Sequence, residues 1–485
     1  MKYYKIAVIS LLLTLFIAVS SKLIGADAEL FLIIELGSLI AGALGVIMLL
    51  LVVETRFNFL FVSAIVILLG GSMGILNTFF STYWSDRDLW LYILNENNTT
   101  YEDLADARIY TNSFCLMFFI LGYILQSSDM ITSIHKKCVT VLHESGGSIK
   151  IATGILLLIQ IYLVYGGHIV YGGTDFDLEG KPSHPLTAFI PLVPTIIILV
   201  SYNIRLENNN TFITKLILTS ILLFEGYWFF LFGRRSIVFY FLLVMVGFFY
   251  NEPITFERVK SNAVIILICL VIIYQMTNLF QKIRVFSGYN VVQKVGVIET
   301  LKLMQVDESE YKSINKQNIT LRSSYGSFIL SFFVDLYKTK PVQPLNGQII
   351  INSLLAATPS NYIIDKSTFL VQENLYNYHF GLSLPDCSES SVLESYLDFS
   401  TWGFIVYPIL FFALIYLISK ITLYQSNEIN LITACCLFLI AVSMIETNMI
   451  IILNSIRSII FFSFFVKLLT ILKSSSVSKN VSCDE

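Results

Sequence analysis

Stretches of roughly 20 apolar residues recur along the whole chain, each long enough to cross about 30 Å of hydrocarbon. This recurrence narrows the fold more than any other feature. A backbone in lipid must satisfy its own hydrogen bonds, and repeated apolar runs of this length do so as helices. The composition agrees: 55% of the 485 residues are hydrophobic and 13% are charged, against about 25% charged in soluble domains. The sequence predicts an all-α polytopic membrane protein.

Run length predicts about 12 spans. Their limits are 6–23, 30–53, 58–80, 109–131, 151–170, 186–204, 212–232, 236–250, 262–280, 402–420, 431–447 and 449–471. The opening "MKYYKIAVISLLLTLFIAVSSKLIG" has the look of a signal peptide, but with many spans after it it reads as the first membrane helix. Between the ninth and tenth spans lie about 115 residues, far beyond ordinary connection lengths. The chain therefore divides into a membrane bundle at 1–280, a large and partly helical loop at 281–397, and C-terminal membrane helices with a short tail at 398–485.

Lysine and arginine in short loops set the orientation. An inside N-terminus places Lys2, Lys5, Arg56, Lys136, Lys137, Lys150, Arg205, Arg258, Lys260, Lys420, Lys473 and Lys479 on the cytoplasmic side. The opposite short loops hold Lys22, Arg87, Arg108, Lys181 and the Arg234–Arg235 pair. Both termini come out cytoplasmic and the large loop extracytoplasmic.

The "GRRS" hinge at 233–236 breaks the charge bias, with two arginines at the outer face between two apolar runs. One reading is headgroup anchoring. The other is anion binding, since guanidinium holds phosphate bidentately. Charges inside spans are costly and tend to face a cavity or each other; here they are Glu35, Lys215, Glu225, Glu446 and Arg457. Asn454 and Arg457 are three apart and share a helix face.

Other patterns say less. Asp86-Arg87-Asp88 and Asp175-Phe176-Asp177 are D-x-D pairs in outer loops, read mainly as solvated acids. The five histidines show no metal-ligand spacing, and His379 is the one in the large loop. The seven cysteines form no CxxC pair. A net charge of −3 gives no footprint for nucleic acid. No phosphate-binding P-loop and no GxSxG is present, and no metal or other cofactor is expected.

The span number, the outer "GRRS", the single late outer loop and "SSVLESYLDFSTWGFIVYPILF" leading into the next span together resemble the Wzy-type O-antigen or oligosaccharide repeat-unit polymerases. Where that family often has a D-F-G-x-x-G-like stretch, this chain reads "DFSTWG", with Ser400 in place of the first glycine and Gly403 kept. The resemblance implies a glycosyltransferase of the bacterial inner membrane that joins undecaprenyl-pyrophosphate-linked repeat units, with a possible chain-length regulator as partner. It implies that Arg234, Arg235, Arg457 and Arg284 hold the leaving pyrophosphate. It implies that Glu394, Asp398 or His379 serves the acceptor hydroxyl, and that Tyr376, Tyr378, Tyr396 and Trp402 stack on sugars. O-antigen ligases, other polyprenyl-linked glycosyltransferases and a multi-span transporter or flippase are the rival readings.

Overall fold

The computed structural model describes residues 2–24, 28–82, 100–141, 147–166, 168–170, 173–174, 326–358, 373–382, 390–424, 427–445 and 447–481, with isolated positions between 186 and 275. The described chain is helical apart from a two-residue antiparallel pair, β1 (Ile169–Val170) with β2 (Gly173–Thr174). The N-terminal helices are α1 (Lys2–Ile24), α2 (Ala28–Leu51), α3 (Phe59–Thr82), α4 (Tyr101–Ser127), α5 (Met130–Val141) and α6 (Gly147–Tyr165). The C-terminal part holds α7 (326–339), α8 (Gln348–Ala357), α9 (Glu373–Phe380), α10 (Ser391–Phe399), α11 (Gly403–Leu423), α12 (Asn427–Ser443) and α13 (Met449–Val481).

Among the described residues, five helical stretches are long and apolar enough to cross a membrane: Glu29–Leu51, Phe59–Leu76, Tyr101–Ser127, Ser391–Leu423 and Met449–Leu469. Shorter apolar helices cover Lys5–Ser20, Gly154–Tyr165, Gln348–Ala357 and Ile429–Ser443. The protein is thus a helical membrane protein. The spans expected at 186–204, 212–232, 236–250 and 262–280 lie outside the described residues, isolated positions aside.

Helix α4 begins eight residues before the apolar run that announces it. Thr100 caps it: its Oγ1 accepts the Asp103 N–H at 3.2 Å, and Asp103 Oδ2 accepts the Thr100 N–H at 3.1 Å. This capping box satisfies end donors that lipid would leave bare. Arg108, expected in an outer loop, is consequently inside the helix and buried, where its Nε donates to Glu35 Oε1 of α2 at 2.7 Å. Helices α1 to α4 pack on one another. Small residues permit the close approach: a Cβ at Gly37 would stand 2.7 Å from Thr14 Oγ1, and one at Gly45 would stand 2.5 Å from Ile65.

The described part of the large 281–397 segment does not stand apart from the bundle. Leu330 and Phe333 of α7, Ile349 of α8 and Tyr376 of α9 belong to the same buried core as Phe61, Phe118 and Phe411 of the span helices. The sequence reads this segment as a loop because its apolar runs are too short to span, and its stretch 324–340 as lying at the interface or packing on the bundle. Its helices bury their apolar faces against α10 and the spans.

Candidate functional site

The site assembles around α10, a nine-residue helix with polar and apolar faces. Ser390 caps it by accepting the Leu393 N–H at 3.2 Å. Its Glu394 and Asp398 are four residues apart, so they share a face, and both are fully buried. A buried carboxylate needs donors for its lone pairs, and the structure supplies them from two other helices.

Glu394 Oε2 accepts the Met449 N–H at 2.7 Å, at the start of α13. The Tyr376 hydroxyl lies 3.5 Å from Oε1. Asp398 Oδ1 accepts the N–H groups of Gly347 and Ile349, each at 3.1 Å, at the start of α8. Its Oδ2 accepts the Tyr407 hydroxyl at 3.0 Å and the Ile350 N–H at 3.4 Å. Each carboxylate thus neutralises the positive end of a neighbouring helix.

The 341–347 strap completes the junction. Leu345 N–H donates to the Leu397 carbonyl at 3.0 Å and Asn346 N–H to the Asp398 carbonyl at 2.7 Å, so the strap covers the bare C-terminal end of α10. Asn346 and Gly347 then turn the chain at positive φ, 51° and 89°, into α8. Tyr337 of α7 also donates to the Leu397 carbonyl, at 3.1 Å.

Rings and charges tie this junction to α4. Tyr396 stands edge-on to Tyr110 and Tyr337, with centroids 4.9 and 5.4 Å apart. The Tyr110 and Ser395 hydroxyls lie 2.7 Å apart. Lys338 reaches Asp103 and Asp106 at 2.8 Å each. Burial works against the Lys338 charge, but hydrogen bonds and charge from Asp103 and Asp106 outweigh it and hold the ammonium's pKa above the ordinary lysine value.

Arg457 sits on α13, eight residues past the Met449 N–H that Glu394 holds, so about 12 Å further along the helix. Its Nη1 donates to the Ala357 carbonyl in the last turn of α8 at 2.8 Å. Its Nε is buried with no hydrogen-bond partner among the described residues, as is Asn454 Oδ1 one turn earlier. Helices α8 and α13 therefore both begin at α10, pack on each other, and meet again where Arg457 joins the end of α8.

The structure thus brings Glu394 and Asp398 together and sets Arg457 well away from both. His379 is exposed on α9, its Nε2 2.9 Å from the Gln343 carbonyl. Arg234, Arg235 and Arg284 lie outside the described residues, as do Lys215, Glu225, Glu446 and both D-x-D pairs. Glu35 closes on Arg108 as an ion pair, 2.6 Å between Oε2 and Nη2. Sequence reasoning missed the capping role of the two carboxylates, because their donors lie about 50 residues away in the chain. The local clue was "LNGQIII", a turn followed by an apolar run with no capping side chain of its own. No family model, no curated protein and no solved structure matches the chain.

Proposed function

We propose that the chain is a membrane-embedded glycosyltransferase that polymerises undecaprenyl-pyrophosphate-linked oligosaccharide repeat units into O-antigen or a related surface polysaccharide. It works at the outer face of the bacterial inner membrane, with both termini cytoplasmic. The observation that carries this reading is Arg457. It is a permanent cation inside a span, placed where the short helix α8 ends part-way along α13, and its Nε has no acceptor among the described residues. A helix that ends at membrane depth is tolerated where it is buried in protein or lines a polar cavity, and an intramembrane arginine marks a polar path.

The reaction fits such a place. The bond from the sugar's anomeric carbon to the pyrophosphate oxygen breaks, a bond to the acceptor hydroxyl oxygen forms, and the hydroxyl proton leaves. Negative charge collects on the departing pyrophosphate, and Arg457 stabilises it, joined by Arg234, Arg235 and Arg284. Of the three candidate acceptor groups, His379 is exposed, whereas Glu394 and Asp398 are enclosed by donors. A ligase or another polyprenyl-linked glycosyltransferase uses the same leaving group and is the nearest alternative. A transporter has no use for the leaving group.

The test is a deletion strain complemented with Arg457 variants, read as surface-glycan length and as elongation of a lipid-linked donor. Deletion is expected to leave single-repeat glycan and no long chains. Loss of a charged hydrogen bond of about 1.5–3 kcal/mol predicts a 10- to 100-fold slower elongation in Arg457→Lys at equal protein level. Long chains in the deletion strain would overturn the reading.

A further inference from the structure

We propose that Glu394 and Asp398 are positioning residues, and that Asp398 acts on Arg457 through helix α8. The proposal rests on the reading above for what Arg457 does, but its structural half stands on geometry alone.

A carboxylate offers about four lone-pair sites. On Asp398 four donors approach them: three backbone N–H groups from the 347–350 turn of α8 and the Tyr407 hydroxyl. None is left to take a proton from an acceptor hydroxyl. Helix α8 has ten residues, too few to be stable without outside support. Its two ends supply that support. A carboxylate sits at its N-terminus and a guanidinium at its C-terminus, the arrangement that the helix dipole favours at both ends.

The same logic extends to α13. Arg457 belongs to α13, whose first N–H is held by Glu394; its acceptor, the Ala357 carbonyl, belongs to α8, whose first turn is held by Asp398. Two residues of α10, four apart, therefore set both helices whose contact fixes the guanidinium. Shifting either N-terminus changes where Arg457 points, without any change at Arg457 itself. These carboxylates govern how the anionic donor is held, and proton transfer from the acceptor falls to another group.

The test uses the full-length protein in lipid nanodiscs and two readouts. The first is amide hydrogen exchange. Asp398→Ala is expected to speed exchange in 348–357 by about 10-fold or more, with 449–453 unchanged; Glu394→Ala is expected to do the reverse. Asp398→Asn keeps the oxygen that Gly347 and Ile349 bind and is expected to rescue most of the protection, which also serves if the alanine variant fails to fold. Unchanged exchange in 348–357 would overturn the proposal.

The second readout is elongation of a lipid-linked donor. Asp398→Asn is expected to be milder than Asp398→Ala, and the loss in Asp398→Ala to fall on the same kinetic parameter as that in Arg457→Ala and to add less than about 2-fold to it, because both act through one contact. A catalytic base predicts that the two losses multiply and that Asn is as inactive as Ala; that result would overturn the proposal. A wild-type protein that elongates nothing would sink the polymerase reading, and the exchange readout would then decide the positioning claim alone.

Discussion

Ser400 and Gly403 show at residue scale how the chain turns from α10 into α11. Ser400 has φ 50° and ψ −135°, the mirror image of extended backbone, where a side chain is strained and glycine is not. Gly403 has a different reason. A Cβ there would lie 1.9 Å from the Ser395 carbonyl oxygen and 2.4 Å from the Tyr110 hydroxyl, so the two helices meet backbone to backbone. The "DFSTWG" stretch thus carries a glycine where packing demands one and a serine where backbone conformation would favour one. Relief of about 1–3 kcal/mol of strain in Ser400→Gly exceeds the roughly 0.5–1 kcal/mol that glycine's freer unfolded chain costs. The expected result is a melting temperature in detergent about 1–2 °C higher. Gly403→Ala is expected to lose folded protein altogether. A lower melting temperature in Ser400→Gly, or a stable Gly403→Ala, would refute this account.

The element scale is governed by helix starts and by pairs between helices. Hydropathy locates α4 but starts it at residue 109, which leaves Arg108 in a loop. The capping signal "TYED" at 100–103 was there to be read, and it moves the start to Tyr101 and Arg108 inside. Glu35 was visible as a charge within a span; its partner was not, because 73 residues separate them. Ser38 and Asn112 bond one turn further along the same two helices, at 2.9 Å. Room for the guanidinium comes from Gly71 of α3, where a Cβ would lie 3.2 Å from Arg108 Nη1. Removing one member of a buried pair strands the other charge, at a cost of about 3–5 kcal/mol, whereas replacing both with apolar groups of similar size is near neutral. Glu35→Leu and Arg108→Met are each expected to destabilise strongly in a detergent melt, and the double variant to recover most of the loss. A double variant as unstable as the sum of the two singles would show that the pair does not act as a unit.

The whole molecule has two ends of unlike chemistry, and neither is legible from span positions alone. At one end Glu102, Asp103 and Asp106 of α4 gather around Lys338, close to the α10 junction with its two buried carboxylates. At the other, Arg56 donates to the Leu49 and Leu50 carbonyls, Lys137 to the Leu423 carbonyl, and Lys136 and Lys420 are exposed. The span helices within the described residues could be read from apolar run length, because lipid imposes that length on each helix separately. The packing of 326–358 could not, since it depends on partners such as Asp103, 235 residues from Lys338. The proposed orientation follows the positive-inside rule: with the basic end in the cytoplasm, α10, the strap and the start of α13 would lie outside, where the proposed reaction needs a lipid-linked glycan. Tyr378 and Tyr424 are both exposed and stand in the two regions, Tyr378 on α9 and Tyr424 at the end of α11. A membrane-impermeant maleimide applied to sealed spheroplasts is expected to label Tyr378→Cys at once and Tyr424→Cys only after permeabilisation, against the labelling of the unsubstituted chain. The reverse pattern would place the Arg457 region on the cytoplasmic side, and a polymerase working at the outer face would then be untenable, whatever the chemistry of its arginine.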